Sequence, residues 1–148
     1  LTNSQVLVMQ DGQLLRQMSI RDGYAIKRAV QEGYRVVIIS GGKSEGVRIR
    51  LQNLGVSDVY LGIQDKLETY EEVVDMYELD EAGIIYMGDD LPDYEVMRRV
   101  GLPCCPANAA YEIKAIAQYI SPMEGGAGCA RDVIEKVMRL NENWDIET

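Results

Sequence analysis

The run Val36-Val37-Ile38-Ile39-Ser40-Gly41-Gly42 decides the fold. Four consecutive β-branched residues without polar alternation describe a strand buried on both faces, as in parallel sheets covered by helices. A second run of the same kind, Ile84-Ile85-Tyr86-Met87, ends in Gly88-Asp89-Asp90. Helical spacing separates and surrounds these strands. Residues 22–32 carry Tyr24, Ala25, Ile26, Ala29 and Val30 before Gly33, and residues 44–54 form a second helix closed by Gly55. Val59-Tyr60-Leu61 is a short strand, and residues 65–77 turn Leu67, Tyr70, Val73, Val74 and Tyr77 inward. Residues 92–100 make a helix with Pro92 in its first turn. Strand 102–105, helix 109–117, strand 119–120 and a closing helix 129–140 complete the chain. At the start, Val6, Val8 and Leu14 flank Asp11-Gly12, a hairpin signal. Strands alternating with helices predict one α/β domain over 1–148, a doubly wound, three-layer parallel sheet preceded by a β-hairpin.

Composition agrees and excludes other classes. The chain has 148 residues, 47% hydrophobic and 26% charged, enough for one real core. Fifteen basic against 24 acidic residues give a net charge of −9, which argues against binding nucleic acid or an anionic membrane surface. No apolar run approaches the ~20 residues of a membrane helix, and no signal peptide opens the chain. There is no histidine, which removes Ser-His-Asp and Cys-His catalysis and His-ligated zinc within these residues. Cys104, Cys105 and Cys129 read as free thiols of a reducing cytoplasm.

Ligands of open α/β sheets bind beyond the carboxyl ends of the strands. That rule selects Ser40-Gly41-Gly42, the turn at Gln64-Asp65-Lys66, and Gly88-Asp89-Asp90-Leu91-Pro92-Asp93. Ser40 offers a hydroxyl, the glycines offer backbone amides at a helix N-terminus, and Lys66 offers fixed positive charge. Asp89, Asp90 and Asp93 crowd carboxylates that a divalent cation would neutralise. Together these groups suit a phosphoryl site.

The order of these loops resembles the haloacid dehalogenase superfamily, with its second motif at Ile38-Ile39-Ser40-Gly41-Gly42, its third at Lys66 and its fourth at Gly88 to Asp93. Arg21-Asp22-Gly23-Tyr24-Ala25-Ile26, Gly101-Leu102-Pro103 and Gly125-Gly126-Ala127-Gly128 with Arg131 are similar to the cap-less branch that dephosphorylates 3-deoxy-D-manno-octulosonate (KDO) 8-phosphate, a lipopolysaccharide precursor. The resemblance implies a Mg²⁺-dependent phosphatase working through an aspartyl-phosphate, with a small sugar phosphate as its ligand. It implies catalytic roles for Ser40, Lys66, Asp89 and Asp93, with Asp89 and Asp90 as metal ligands. Ser40, Gly41, Gly42 and Lys66 would hold the phosphoryl group, and Arg48, Arg50 and Arg131 are candidates for the sugar acid.

Leu1-Thr2 is similar to the end of the family's first motif, Asp-x-Asp-Gly, whose two aspartates are the nucleophile and the acid-base. The resemblance therefore implies a strand carrying that motif upstream of Leu1, at the centre of the sheet. It also implies a homotetramer in which hairpins associate and neighbouring subunits cover each other's sites. Gly42 leaves room where relatives acting on the nine-carbon analogue carry glutamate. Two other classes fit these residues less well. A response-regulator receiver would place its acidic pair after the first strand, not after a late one. An inactive scaffold would have no need of Ser40, Lys66, Asp89 and Asp93.

Overall fold

In the computed structural model, which describes residues 1–3 and 5–145, the chain opens with an antiparallel hairpin. Its strands β1 (Leu7–Val8) and β2 (Leu14–Leu15) pair Leu7 with Leu15 and Val8 with Leu14. The first three helices begin at side-chain caps. Ser19 accepts from the Asp22 N–H to start α1 (Ile20–Gln31), Ser44 from Val47 to start α2 (Glu45–Asn53), and Asp65 from Glu68 to start α3 (Lys66–Tyr77). Between them, β3 (Val37–Ile39) pairs in parallel with β4 (Asp58–Tyr60). A second parallel block follows in the order β5 (Ile85–Met87), β6 (Leu102–Cys105), β7 (Tyr119–Ile120). The remaining helices are α4 (Tyr94–Met97), α5 (Tyr111–Ile116) and α6 (Cys129–Leu140).

Helices cover both faces. On one, Ile26 of α1 and Leu51 of α2 pack with Leu54, Val56 and Ile38, while Ala25 and Ala29 meet Met138 of α6 and Trp144. On the other, Tyr70 of α3 and Val96 of α4 pack on Ile39 and Tyr86, and Met97 meets Cys105 and Ile113 of α5. This is the doubly wound α/β architecture with its hairpin. No helix among the described residues is long and apolar enough to cross a membrane.

Three expectations need correction. β3 is only half-buried and Ile85 of β5 is 40% exposed, not enclosed on both faces. The reason is that no ladder joins β3 to β5 among the described residues, so each edges its own block. The helix expected over 92–100 is a 3₁₀ turn (Leu91–Asp93) followed by the single turn of α4. Here Asp93 folds back onto the Asp90 backbone in a reciprocal capping pair, which tightens the entry. The helix expected over 109–117 starts only at Tyr111, because Ala110 has extended ψ. Cys104, Cys105 and Cys129 are buried and unpaired, and burial pushes the Cys104 thiol up to about 11, so it stays protonated and inert.

Asp132 of α6 ties the second block to the helix layer by accepting from Tyr119, Ser121 and Lys136. Burial pushes its carboxyl up, and the hydrogen bonds from Lys136, Tyr119 and Ser121 outweigh that and hold it below its ordinary value. A depressed carboxyl stabilises the fold above its unfolded value, near pH 4, and the contribution fades as pH falls through the folded value. Asp132→Ala is expected to cost about 2 kcal/mol near neutrality. Urea midpoints of the two proteins should converge toward pH 3 (about one unit below the unfolded value). An undiminished gap there would place the stabilisation elsewhere.

Candidate active site

Loop 40–42 follows β3 and is held by its neighbour across the parallel pair. The Ser40 N–H donates to Tyr60 O at 2.9 Å, the Ile63 N–H to Ser40 O at 3.0 Å and the Gly62 N–H to Gly42 O at 2.8 Å. Within the loop, the Gly42 N–H donates to Ser40 Oγ at 3.1 Å. That bond occupies an acceptor lone pair and leaves the Ser40 hydroxyl proton to donate outward. The same 61–65 segment runs into Asp65, the cap that starts α3, and so sets where Lys66 stands.

Lys66 meets the acidic loop directly. Its Nζ donates to Asp93 Oδ1 at 2.8 Å, with side chains only 15% and 3% exposed. Asp93 is the hub of this end of the sheet. Tyr86 Oη also donates to Oδ1 at 2.6 Å, while the Asp89 and Asp90 N–H groups donate to Oδ2 at 3.0 and 3.3 Å. Burial pushes the Asp93 carboxyl up, but the hydrogen bonds from Lys66 and Tyr86 and the Lys66 charge outweigh it and hold it low. The Tyr86 phenol is pushed well above its ordinary value, first by burial and then by Asp93 beside it. Gly88 makes the fold-back sterically feasible: a Cβ there would stand 2.7 Å from Asp93 Cγ. Gly88 N–H donates to Cys104 O and Asp89 O accepts from Ala110, anchoring the loop to β6 and to the entry of α5.

Hydrogen bonds join Lys66, Asp89 and Asp90 through Asp93, while Ser40 and Gly42 are tied to each other and to segment 60–63, which leads along the chain to Lys66. Asp93 has both oxygens committed to the loop, Lys66 and Tyr86, so its part is to shape the loop. Asp90 Oδ1 accepts the Leu91 N–H at 2.8 Å. Among the described residues no group of three His, Cys, Asp or Glu converges as a metal cage. Mg²⁺, however, is held by one or two carboxylates with waters and substrate phosphate, and Asp89 and Asp90 are the carboxylates of this loop, besides the committed Asp93, that would hold it.

The three arginines lie apart from this chain. Arg48 donates to Val59 O at 3.2 Å and pairs with Glu45 at 3.4 Å. Arg50 reaches back to α1, where its Nη2 stands 2.9 Å from the position of a Gly23 Cβ. Arg131 lies over the rings of Tyr24 and Trp144 and pairs with Glu135, while its N–H donates to buried Asp22. Gly125 and Gly126 pack against the backbone of Thr2 and Asn3.

Two residues escaped the sequence reading. Tyr86 was assigned only to a strand, although a hydroxyl in a buried strand beside three aspartates demands a partner. Arg16 directly follows the hairpin in the sequence, and its guanidinium lies against Gly42. Nothing in the local sequence signals that contact.

A profile of haloacid dehalogenase-like hydrolases matches residues 58–131. The chain belongs to that family. Within it, the chain is similar to 3-deoxy-D-manno-octulosonate 8-phosphate phosphatase KdsC of Escherichia coli K12, with 30% identity over 145 residues, covering 98% of this chain and 77% of the relative. It is also similar to the crystal structure of a probable YrbI family phosphatase from Pseudomonas syringae, at 34% identity and a TM-score of 0.93, covering 97% and 81% of the two chains. A third likeness is the KDO 8-phosphate phosphatase of Moraxella catarrhalis, solved with magnesium, phosphate and KDO. It shows 28% identity and a TM-score of 0.93, covering 97% and 83%.

Proposed function

We propose that this protein is a Mg²⁺-dependent phosphatase of sugar-acid phosphates, with KDO 8-phosphate as its substrate. The observation that carries this reading is the Lys66–Asp93 pair, which locks the Lys66 loop to the acidic loop at the carboxyl ends of the strands. The chain's similarity to relatives that act on KDO 8-phosphate supports the choice of substrate.

In this reading Ser40 donates its free hydroxyl proton to a phosphoryl oxygen, and the Gly41 amide holds a second. Lys66 supplies positive charge beside them, and Asp93 keeps Lys66, Asp89 and Asp90 in register. Asp89 and Asp90 hold the cation. Bound there, Mg²⁺ neutralises charge on the phosphoryl oxygens. The nucleophile and the acid-base of this reading are the two aspartates of an Asp-x-Asp-Gly strand lying between β3 and β5. The open edges of the two parallel blocks support that placement, since such edges need a partner for their N–H and C=O groups. The nucleophile attacks phosphorus in line while its partner protonates the departing sugar oxygen; the partner then deprotonates water for hydrolysis of the aspartyl-phosphate. The preference for an eight-carbon sugar acid is tested by comparing kcat/KM on KDO 8-phosphate with that on the nine-carbon 9-phosphate. A higher value for the nine-carbon ester would reassign the substrate.

The protein assembles, in the same reading, as a homotetramer through its hairpin. Leu7 and Val8 are 63% and 66% exposed and Leu14 and Leu15 about half exposed, an apolar surface on a two-stranded ribbon with open edges. Sedimentation of the full-length protein at micromolar concentration should give a tetramer, and Leu7→Asp with Leu14→Asp should dissociate it. A fully active monomer would remove the shared-site assembly.

A further inference from the structure

We infer that Arg16, at the base of the hairpin, is a phosphate-binding residue seated on Gly42. The contact is steric and specific. A Cβ at Gly42 would stand 2.5 Å from Arg16 Nη1 and 3.0 Å from its Cζ and Nη2, so the guanidinium occupies the space that glycine leaves. The seat belongs to the loop whose Ser40 hydroxyl proton is left to donate outward, because Oγ already accepts the Gly42 N–H.

Charge gives the seat its purpose. Lys66 is already engaged by Asp93 at 2.8 Å, and Asp89 and Asp90 add negative charge to the same end of the sheet. With a cation held by Asp89 and Asp90 that end is close to neutral, since Lys66 is balanced by Asp93, so an arriving phosphomonoester dianion still gains from a further cationic side chain. Among the described residues Arg16 makes no hydrogen bond, ion pair or ring contact, so its five donors remain for a ligand. Arg48 and Arg131, by contrast, are paired with Glu45 and Glu135. A planar guanidinium can grip two phosphoryl oxygens at once, which an ammonium cannot. Because the guanidinium sits on loop 40–42, the anion it meets is the one that loop is proposed to hold, the phosphoryl group.

Given the phosphatase reading above, kinetics of the full-length protein test this directly, using p-nitrophenyl phosphate and KDO 8-phosphate as substrates and inorganic phosphate as inhibitor. Arg16→Ala should raise KM for both esters and weaken inhibition by phosphate, each by roughly ten- to a hundredfold, with KM changing more than kcat. Arg16→Lys should recover part of the loss. Gly42→Ala pushes only the flexible end of Arg16 aside, so it should reproduce the loss in the wild-type background and add little to Arg16→Ala. A rise in KM for KDO 8-phosphate alone would assign Arg16 to the carboxylate and overturn the inference. So would unchanged constants in a wild-type protein that is otherwise active. A wild-type protein that neither hydrolyses these esters nor binds phosphate overturns this role together with the phosphatase reading.

Discussion

Asp93→Ala is expected to cost about 3–5 kcal/mol of stability and nearly all turnover. The substitution leaves the Lys66 ammonium, 15% exposed, without its counter-charge. It also strips an acceptor from the Tyr86 hydroxyl and from two backbone N–H groups that define loop 88–93. Both losses act at one place, so stability and activity fall together. Asp93→Asn keeps the shape and one acceptor oxygen and should sit between the two. Lys66→Ala also lowers turnover sharply, through lost positive charge, and the two substitutions should be strongly non-additive because each removes the same pair. Urea midpoints and phosphate release read both effects. An Asp93→Ala protein within 1 kcal/mol of wild type (less than the usual cost of one hydrogen bond to a charged group) would deny Asp93 its place as hub.

Asp89→Asn is expected to behave differently, leaving the fold intact while turnover falls by roughly a thousandfold, or about 4 kcal/mol in the barrier. Its backbone N–H and carbonyl, which hold the loop through Asp93 and Ala110, are untouched by the change. The substitution removes one negative charge at the proposed cation site. Wild-type kcat at saturating Mg²⁺ would take Asp89 out of the metal site.

The contrast between these two aspartates marks what the sequence could and could not convey. The strand runs, the caps at Ser19, Ser44 and Asp65 and the loops at the strand ends were all legible, because each depends on local periodicity or on one residue's reach along the chain. The three carboxylates of loop 88–93 were legible as a group, with Asp89 and Asp90 read as the metal ligands, but the way Asp93 is held was not. It depends on Tyr86 and Lys66 arriving from β5 and α3 to occupy Asp93. Arg16 was hidden for the same reason, since its seat lies 26 positions away at Gly42. The half-burial of β3 and Ile85 was also beyond a reading of Val36 to Ile39, because apolar runs report what a strand is made for, not which neighbours it has.

Phosphate release from KDO 8-phosphate by the full-length protein, measured with Mg²⁺ and again after chelation, tests the assignment of this site most directly. Release with Mg²⁺ that is abolished by chelation and restored by added Mg²⁺ is the predicted result. Release that is indifferent to chelation, or none from any sugar-acid phosphate with Mg²⁺ present, would contradict it.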